Sequence, residues 1–198
     1  ALVLNLCKKY KVKRFIHAST IYVNSVEGGF YRSSKRAAED YVEEYNKIHN
    51  LEYTILRFGS LYGQRSDKNN GVKIILKDAI FNNEIQYTGS KKTVRRYIHV
   101  SDAARACIDS LNPKYKNKYL TITGKKEIKI TVFLKNLAKM LKITKKIKFK
   151  NIKNVGHYET TPFTYKLKKG QVYKQKKCVD IYDGVFQLVQ EIKNKKTK

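Results

Sequence analysis

A chain of 198 residues with 41% hydrophobic side chains is long enough to bury one sizeable core, alone or with a small appendage. Its formal net charge of +27 is mostly lysine spread along the whole length, without a zinc-finger, RNP-like or homeodomain-like pattern; a lysine bias on solvated surfaces is favoured over a nucleic-acid site, although anionic ligands such as nucleotide diphosphates would be drawn in. No apolar run approaches the roughly 20 residues of a membrane span and no signal-peptide pattern opens the chain, which points to a soluble cytoplasmic protein.

Cys7, Cys107 and Cys178 lie far apart without Cys-x-x-Cys spacing and read as reduced core thiols. His17, His49, His99 and His157 are scattered without ligand spacing, so no metal is expected.

Ala1 to Tyr10 reads as the end of a helix, with Leu2, Val3, Leu6, Cys7 and Tyr10 at helical spacing. With no initiator Met and no N-cap before it, the chain is expected to be a fragment of a longer protein, one that is inactive alone. Lys13 to Ala18 predicts a short strand with Ser19-Thr20 at its carboxyl end, where open α/β sheets bind ligands. Residues 21–30 form a connection through Gly28-Gly29, and Tyr31 to His49 predicts a helix buried along Ala38, Tyr41, Val42, Tyr45 and Ile48, with Glu39, Asp40, Glu43 and Glu44 on its polar side. Leu51 to Phe58 has the continuous apolar centre of a strand covered on both faces, making a parallel strand-helix-strand unit the default.

Beyond it, Gly71 to Phe81 predicts an amphipathic helix, Ile85 to Thr88 a short strand, and Gly89 to Val94 a basic turn. Ser101 or Asp102 is placed as the cap of a helix over Ala103 to Leu111, and Tyr119 to Thr123 as another strand. Thr131 is placed as the cap of a helix burying Val132, Phe133, Leu137, Met140 and Leu141. Ile143 to Lys177 is lysine-rich and less regular, Ile181 to Ile192 predicts a last helix, and a basic tail follows.

Chemistry concentrates at Phe30-Tyr31-Arg32-Ser33-Ser34-Lys35. A Tyr and a Lys four apart share one helix face, one turn from each other. A phenol with an ordinary pKa of about 10 is a poor base at neutral pH, and a nearby ammonium favours its ionised form. The bare pair recurs by chance in a chain with 15 Tyr, so its weight comes from the elements around it.

Those elements are Arg14-Phe15-Ile16-His17-Ala18-Ser19-Thr20, the Tyr31/Lys35 pair, Leu56-Arg57-Phe58-Gly59-Ser60-Leu61-Tyr62-Gly63, and Arg95 to Asp102 followed by Ala103-Ala104. In this order they resemble the extended short-chain dehydrogenase/reductases, specifically the NAD-dependent epimerase/dehydratase group acting on nucleotide sugars. The resemblance implies an α/β fold: residues 1–63 as the C-terminal part of a Rossmann-like NAD(P)-binding parallel sheet, residues 64–193 as a smaller mixed α/β substrate-binding region with returning Rossmann elements near 95–125, and 194–198 as a tail. It implies that Thr20, with Ser19 as the alternative, hydrogen-bonds the reacting sugar hydroxyl and that Tyr31 exchanges a proton with it. Lys35 would hold the nicotinamide ribose, Phe58 and Gly59 would line the nicotinamide side, and Ser60 and Arg95 would bind substrate, the arginine at the diphosphate. The implied cofactor is NAD or NADP, the substrate a nucleotide sugar, and the assembly a homodimer formed through the helix before the first strand and the Tyr/Lys helix.

Four departures stand beside the resemblance. The glycine-rich phosphate loop and the acidic residue for the adenosine ribose are absent from these residues. Family members usually carry Asn where Ser60 stands, and the loop from Thr20 to Tyr31 is short. The alternative to an enzyme is a non-catalytic basic binding or scaffold module built on the same fold.

Overall fold

The computed structural model describes residues 1–150, 171–175 and 177–194. In chain order the elements are α1 (Leu2–Lys9), β1 (Arg14–Thr20), a 3-10 turn (Ile21–Asn24), α2 (Gly29–His49), β2 (Glu52–Phe58), β3 (Ser60–Tyr62), α3 (Gly71–Asn82), β4 (Gln86–Thr88), β5 (Val94–Arg95), β6 (Tyr97–His99), α4 (Val100–Asp109), a second 3-10 turn (Pro113–Tyr115), β7 (Lys118–Ile122), β8 (Ile128–Lys129), α5 (Ile130–Met140), β9 (Lys148–Lys150), β10 (Gln171–Val172) and α6 (Ile181–Asn194).

The main sheet has the order β1-β2-β7-β10 and all its pairings are parallel. Parallel sheets need cover on both faces, and the side-chain alternation of β2 supplies two apolar faces. Tyr53 and Ile55 point to a cluster with Leu4 and Cys7 of α1 and Val42 of α2. Leu56 points the other way, to Ala103 and Ala106 of α4. A third cluster joins α3, α5 and α6 around Tyr62, Leu76, Phe133 and Leu188. Three short ribbons complete the architecture: β3 with β6 and β4 with β9, both parallel, and β5 with β8, antiparallel.

Several elements depart from the sequence expectation. In α1 the buried residues are Leu4 and Cys7, while Leu2, Val3, Leu6 and Tyr10 are exposed. In α2, Tyr41 and Ile48 face solvent and Glu39, assigned to the polar side, is only 3% exposed. Thr131 does not cap α5: the helix begins at Ile130, whose amide donates to the Thr93 carbonyl at 2.9 Å. Its buried stripe runs Ile130, Phe133, Leu134 and Leu137, the i, i+3, i+4, i+7 pattern, and Val132 lies outside it. Of the lysine-rich 143–177 segment, residues 151–170 and 176 lie outside the described residues, as does the tail beyond Asn194.

Neither Ser101 nor Asp102 caps α4. The helix starts at Val100, and the cap is His99, whose Nδ1 accepts from the Ser101 amide at 3.3 Å. Asp102 sits inside the first turn, pairing with Arg105 and accepting the Val179 amide at 2.9 Å, which ties α4 to the segment entering α6. Gly124, just past β7, allows a close crossing: a Cβ there would lie 1.9 Å from the Tyr97 carbonyl oxygen, closer than any side chain can approach.

His99 is 3% exposed, and burial lowers its pKa below the ordinary 6.5, with Asp102 opposing and Arg105 reinforcing the shift. The folded chain therefore binds this proton less readily than the unfolded chain, whose imidazole takes it up around the ordinary 6.5. Its share of stability is complete above that value and falls as the pH drops through and below it. Thermal melting should decline from pH 7.5 to 5, and His99→Asn, which keeps an acceptor for the Ser101 amide, should flatten part of that decline. His17 is also depressed, mainly by burial, and contributes with the same sign. An unaltered pH slope in the Asn variant would remove His99 from this account.

Candidate active site

The carboxyl ends of the sheet strands lie side by side, with Thr20 in register with Phe58 and Phe58 with Ile122. Ser19 and Thr20 belong to β1 itself, and strand alternation sends them to opposite faces. Thr20 is buried, and its hydroxyl accepts from the Tyr22 amide at 3.3 Å, capping the 3-10 turn and leaving its O–H free to donate.

α2 carries Tyr31, Lys35 and Glu39 at successive four-residue steps. The stripe runs from solvent into the core: Tyr31 is 52% exposed and Glu39 3%. Lys35 Nζ donates to the Ala18 carbonyl at 2.9 Å, fixing the helix over the end of β1. The Tyr31 ring meets the Tyr22 ring edge-on with centroids 6.1 Å apart, and its hydroxyl has no hydrogen-bond partner among the described residues. Gly28 makes the tight entry to α2: at φ +102° it takes a left-handed conformation, and a Cβ would stand 2.8 Å from Tyr22 Cδ1. Arg32 fastens the preceding loop through the Ser25 carbonyl at 3.1 Å and the Val26 carbonyl.

Beneath the stripe is a buried charge network that sequence reasoning missed. Glu39 receives Arg57 through two bonds, Nε to Oε1 at 3.0 Å and Nη2 to Oε2 at 2.7 Å. Ser19 Oγ donates to Glu39 Oε1 at 2.6 Å, and the Arg57 guanidinium lies 4.3 Å from the Tyr119 ring centroid. The signal was available: a Glu four residues after Lys35, and an Arg inside the apolar run of β2, are opposite charges that burial must pair.

The structure thus sets Thr20 and Lys35 at the end of β1, Tyr31 against Tyr22 just beyond it, Phe58 at the end of the neighbouring β2 and Gly59 immediately after, its amide donating to the Ile122 carbonyl at 2.9 Å. Ser60 opens β3 opposite Tyr97 of β6. Arg95 lies two residues before Tyr97, on the separate β5–β8 ribbon, with Nη1 donating to the Val94 carbonyl at 3.2 Å. Ser19 Oγ is engaged by Glu39, whereas the Thr20 hydroxyl is seen only as an acceptor from the Tyr22 amide. Among the described residues no group of three or more His, Cys, Asp or Glu side chains could hold a metal, and no helix is long and apolar enough to cross a membrane.

The residues fit the nicotinamide end of a dinucleotide: Lys35 has ammonium hydrogens beyond the one given to Ala18, and Phe58-Gly59 lies at the adjacent carboxyl strand end. No residue here answers to the pyrophosphate loop.

Known proteins share this fold and part of this sequence. A Methanocaldococcus jannaschii protein bearing the name UDP-glucose 4-epimerase is 29% identical over 143 residues, covering 62% of this chain and 46% of that protein. The chain therefore spans about half of that relative. The fold is that of UDP-glucose 4-epimerase from Thermotoga maritima, solved with UDP-glucose (TM-score 0.78, 22% identity, 98% of this chain and 68% of that one). It is also that of UDP-glucuronic acid 4-epimerase from Bacillus cereus, solved with UDP-glucuronic acid and NAD (TM-score 0.81, 21% identity, 97% and 65%). The model of the NAD dependent epimerase/dehydratase family matches residues 1–119, more than half of the sequence, and the chain belongs to that family.

Proposed function

We propose that this chain forms the catalytic and substrate-binding part of an NAD-dependent epimerase or dehydratase acting on a nucleotide sugar. The observation that carries the reading is the Tyr31–Lys35 stripe, fixed over the end of β1 by the Lys35–Ala18 bond, in a chain of this family. The Tyr31 oxygen takes the proton of the reacting sugar hydroxyl, and Lys35 holds the nicotinamide ribose. Thr20 donates to the same hydroxyl, Phe58 and Gly59 flank the nicotinamide, Ser60 lies on the sugar side, and Arg95 pairs with the diphosphate. NAD, when bound, supplies the hydride acceptor. We place the activity in the cytoplasm, in keeping with three free thiols. The test is conversion of UDP- and dTDP-hexoses by the protein containing these residues, with NAD present. Absence of any new sugar or exchange of substrate hydrogen across the panel would reject the reading.

The same reading includes a homodimer. Leu2, Val3, Leu6 and Tyr10 on α1 and Tyr41 and Ile48 on α2 leave apolar surface exposed on two helices that pack together. Sedimentation should give a dimer that Leu6→Glu with Tyr41→Glu converts to a monomer; a monomer at all concentrations would oppose it.

A further inference from the structure

Tyr31 stands in the first turn of α2 with half of its surface exposed, and a helical aromatic there has two favoured side-chain directions open to it. One ring meets it. Tyr22, in the 3-10 turn that follows β1, lies edge-on to Tyr31 with centroids 6.1 Å apart and ring planes at 81°. Tyr22 is itself held on several sides. Its amide donates to Thr20 Oγ1 at 3.3 Å, its carbonyl accepts from the Ser25 amide at 2.8 Å, and its ring lies against Gly28. A Cβ at position 28 would press on Tyr22 Cδ1 at 2.8 Å and on Arg32 Cβ at 3.0 Å, and Arg32 closes the same loop through the Ser25 and Val26 carbonyls.

We propose that Tyr22 is a positioning residue for Tyr31: its ring, seated on Gly28, is the stop that holds the Tyr31 ring in one direction just beyond the end of β1. An edge-to-face pair favours one arrangement over its alternatives by roughly two- to tenfold. A proton-transferring group that spends most of its time misdirected loses rate in proportion, because reaction needs the near-attack geometry. The contact joins two rings, so it does not depend on the Tyr22 hydroxyl. The short loop has the bonds to keep the stop in place: Thr20, Ser25 and Arg32 fix its backbone on both sides of Gly28.

The test uses the protein containing these residues, with NAD and the nucleotide sugar it converts. Tyr22→Leu should lower kcat by roughly two- to tenfold and leave KM unchanged, since the ring orients a group of the reaction and does not bind the sugar. Tyr22→Phe keeps the ring and should restore the parent kcat. Gly28→Ala displaces the Tyr22 ring while both aromatics remain, should lower kcat in the same way, and serves where Tyr22→Leu does not fold. A second readout needs no turnover: with ring-labelled tyrosine, the Tyr22 and Tyr31 signals, each identified by its loss in the Phe variant, should show a nuclear Overhauser contact in the parent that Gly28→Ala weakens. Absence of that contact in the parent, an unchanged kcat in Tyr22→Leu or Gly28→Ala, or a kcat that falls as far in Tyr22→Phe as in Tyr22→Leu overturns the proposal. The inference rests on the role proposed for Tyr31, and the two fail separately. Turnover that survives Tyr31→Phe rejects that role, whereas turnover lost in Tyr31→Phe but kept in Tyr22→Leu and Gly28→Ala rejects Tyr22 alone.

Discussion

Tyr31→Phe should reduce turnover of the nucleotide sugar by about 10²–10⁴-fold while leaving NAD binding intact. The substitution removes one oxygen. That oxygen has no hydrogen-bond partner among the described residues, and the ring is half exposed, so no buried group is left unsatisfied. The edge-on contact with Tyr22 depends on the ring and survives the change. Stability should therefore stay within about 0.5 kcal/mol of the parent. Loss of turnover with unchanged melting identifies the phenol as chemical; unchanged turnover would remove Tyr31 from the reaction, and a parallel loss of melting temperature would make it structural. Thr20→Val separates the role proposed for its neighbour: the Thr20 hydroxyl caps the 3-10 turn, so its loss should cost some stability as well as rate.

The long elements were legible in the sequence because each has one dominant period. β2 reads as buried from its continuous run, and α3, α5 and α6 read from apolar residues at helical steps. Of the two- and three-residue strands β4 was anticipated within Ile85 to Thr88, but β3, β5, β6, β8, β9 and β10 were not, since a segment that short has no period and forms only where a partner is brought to it. The caps went wrong for a related reason: Ser, Thr and Asp have the strongest prior at helix starts, but His99 and a backbone carbonyl from Thr93 fill those places through tertiary contacts. On α2 a polar residue was assigned to water by type. Glu39 is buried because Arg57 arrives from 18 residues away to meet it. Tyr31 and Lys35 were legible as a pair, whereas the buried partnership of Glu39 with Arg57 of β2 was not.

Removing that buried partner should have the largest effect on stability of any single change in the site. In Glu39→Gln the guanidinium of Arg57 remains in a place where its side chain is only 3% exposed, with a neutral amide replacing the carboxylate that neutralised it. Breaking a buried ion pair from one side costs about 3–5 kcal/mol, a fall in melting temperature of roughly 6–20 °C for a chain of this size. The Tyr119 ring 4.3 Å from the guanidinium offsets only a part, since a cation over an aromatic face is worth about 0.5–2 kcal/mol. Replacing both charges should cost less than the sum of the single changes, because desolvation of the ions disappears with them. Chemical denaturation of the parent, the two single variants and the double variant measures this directly. Additive losses would mean that Glu39 and Arg57 stabilise the chain through separate contacts, and the two bonds joining them would then be a consequence of the packing of α2 on β2 and not its cause.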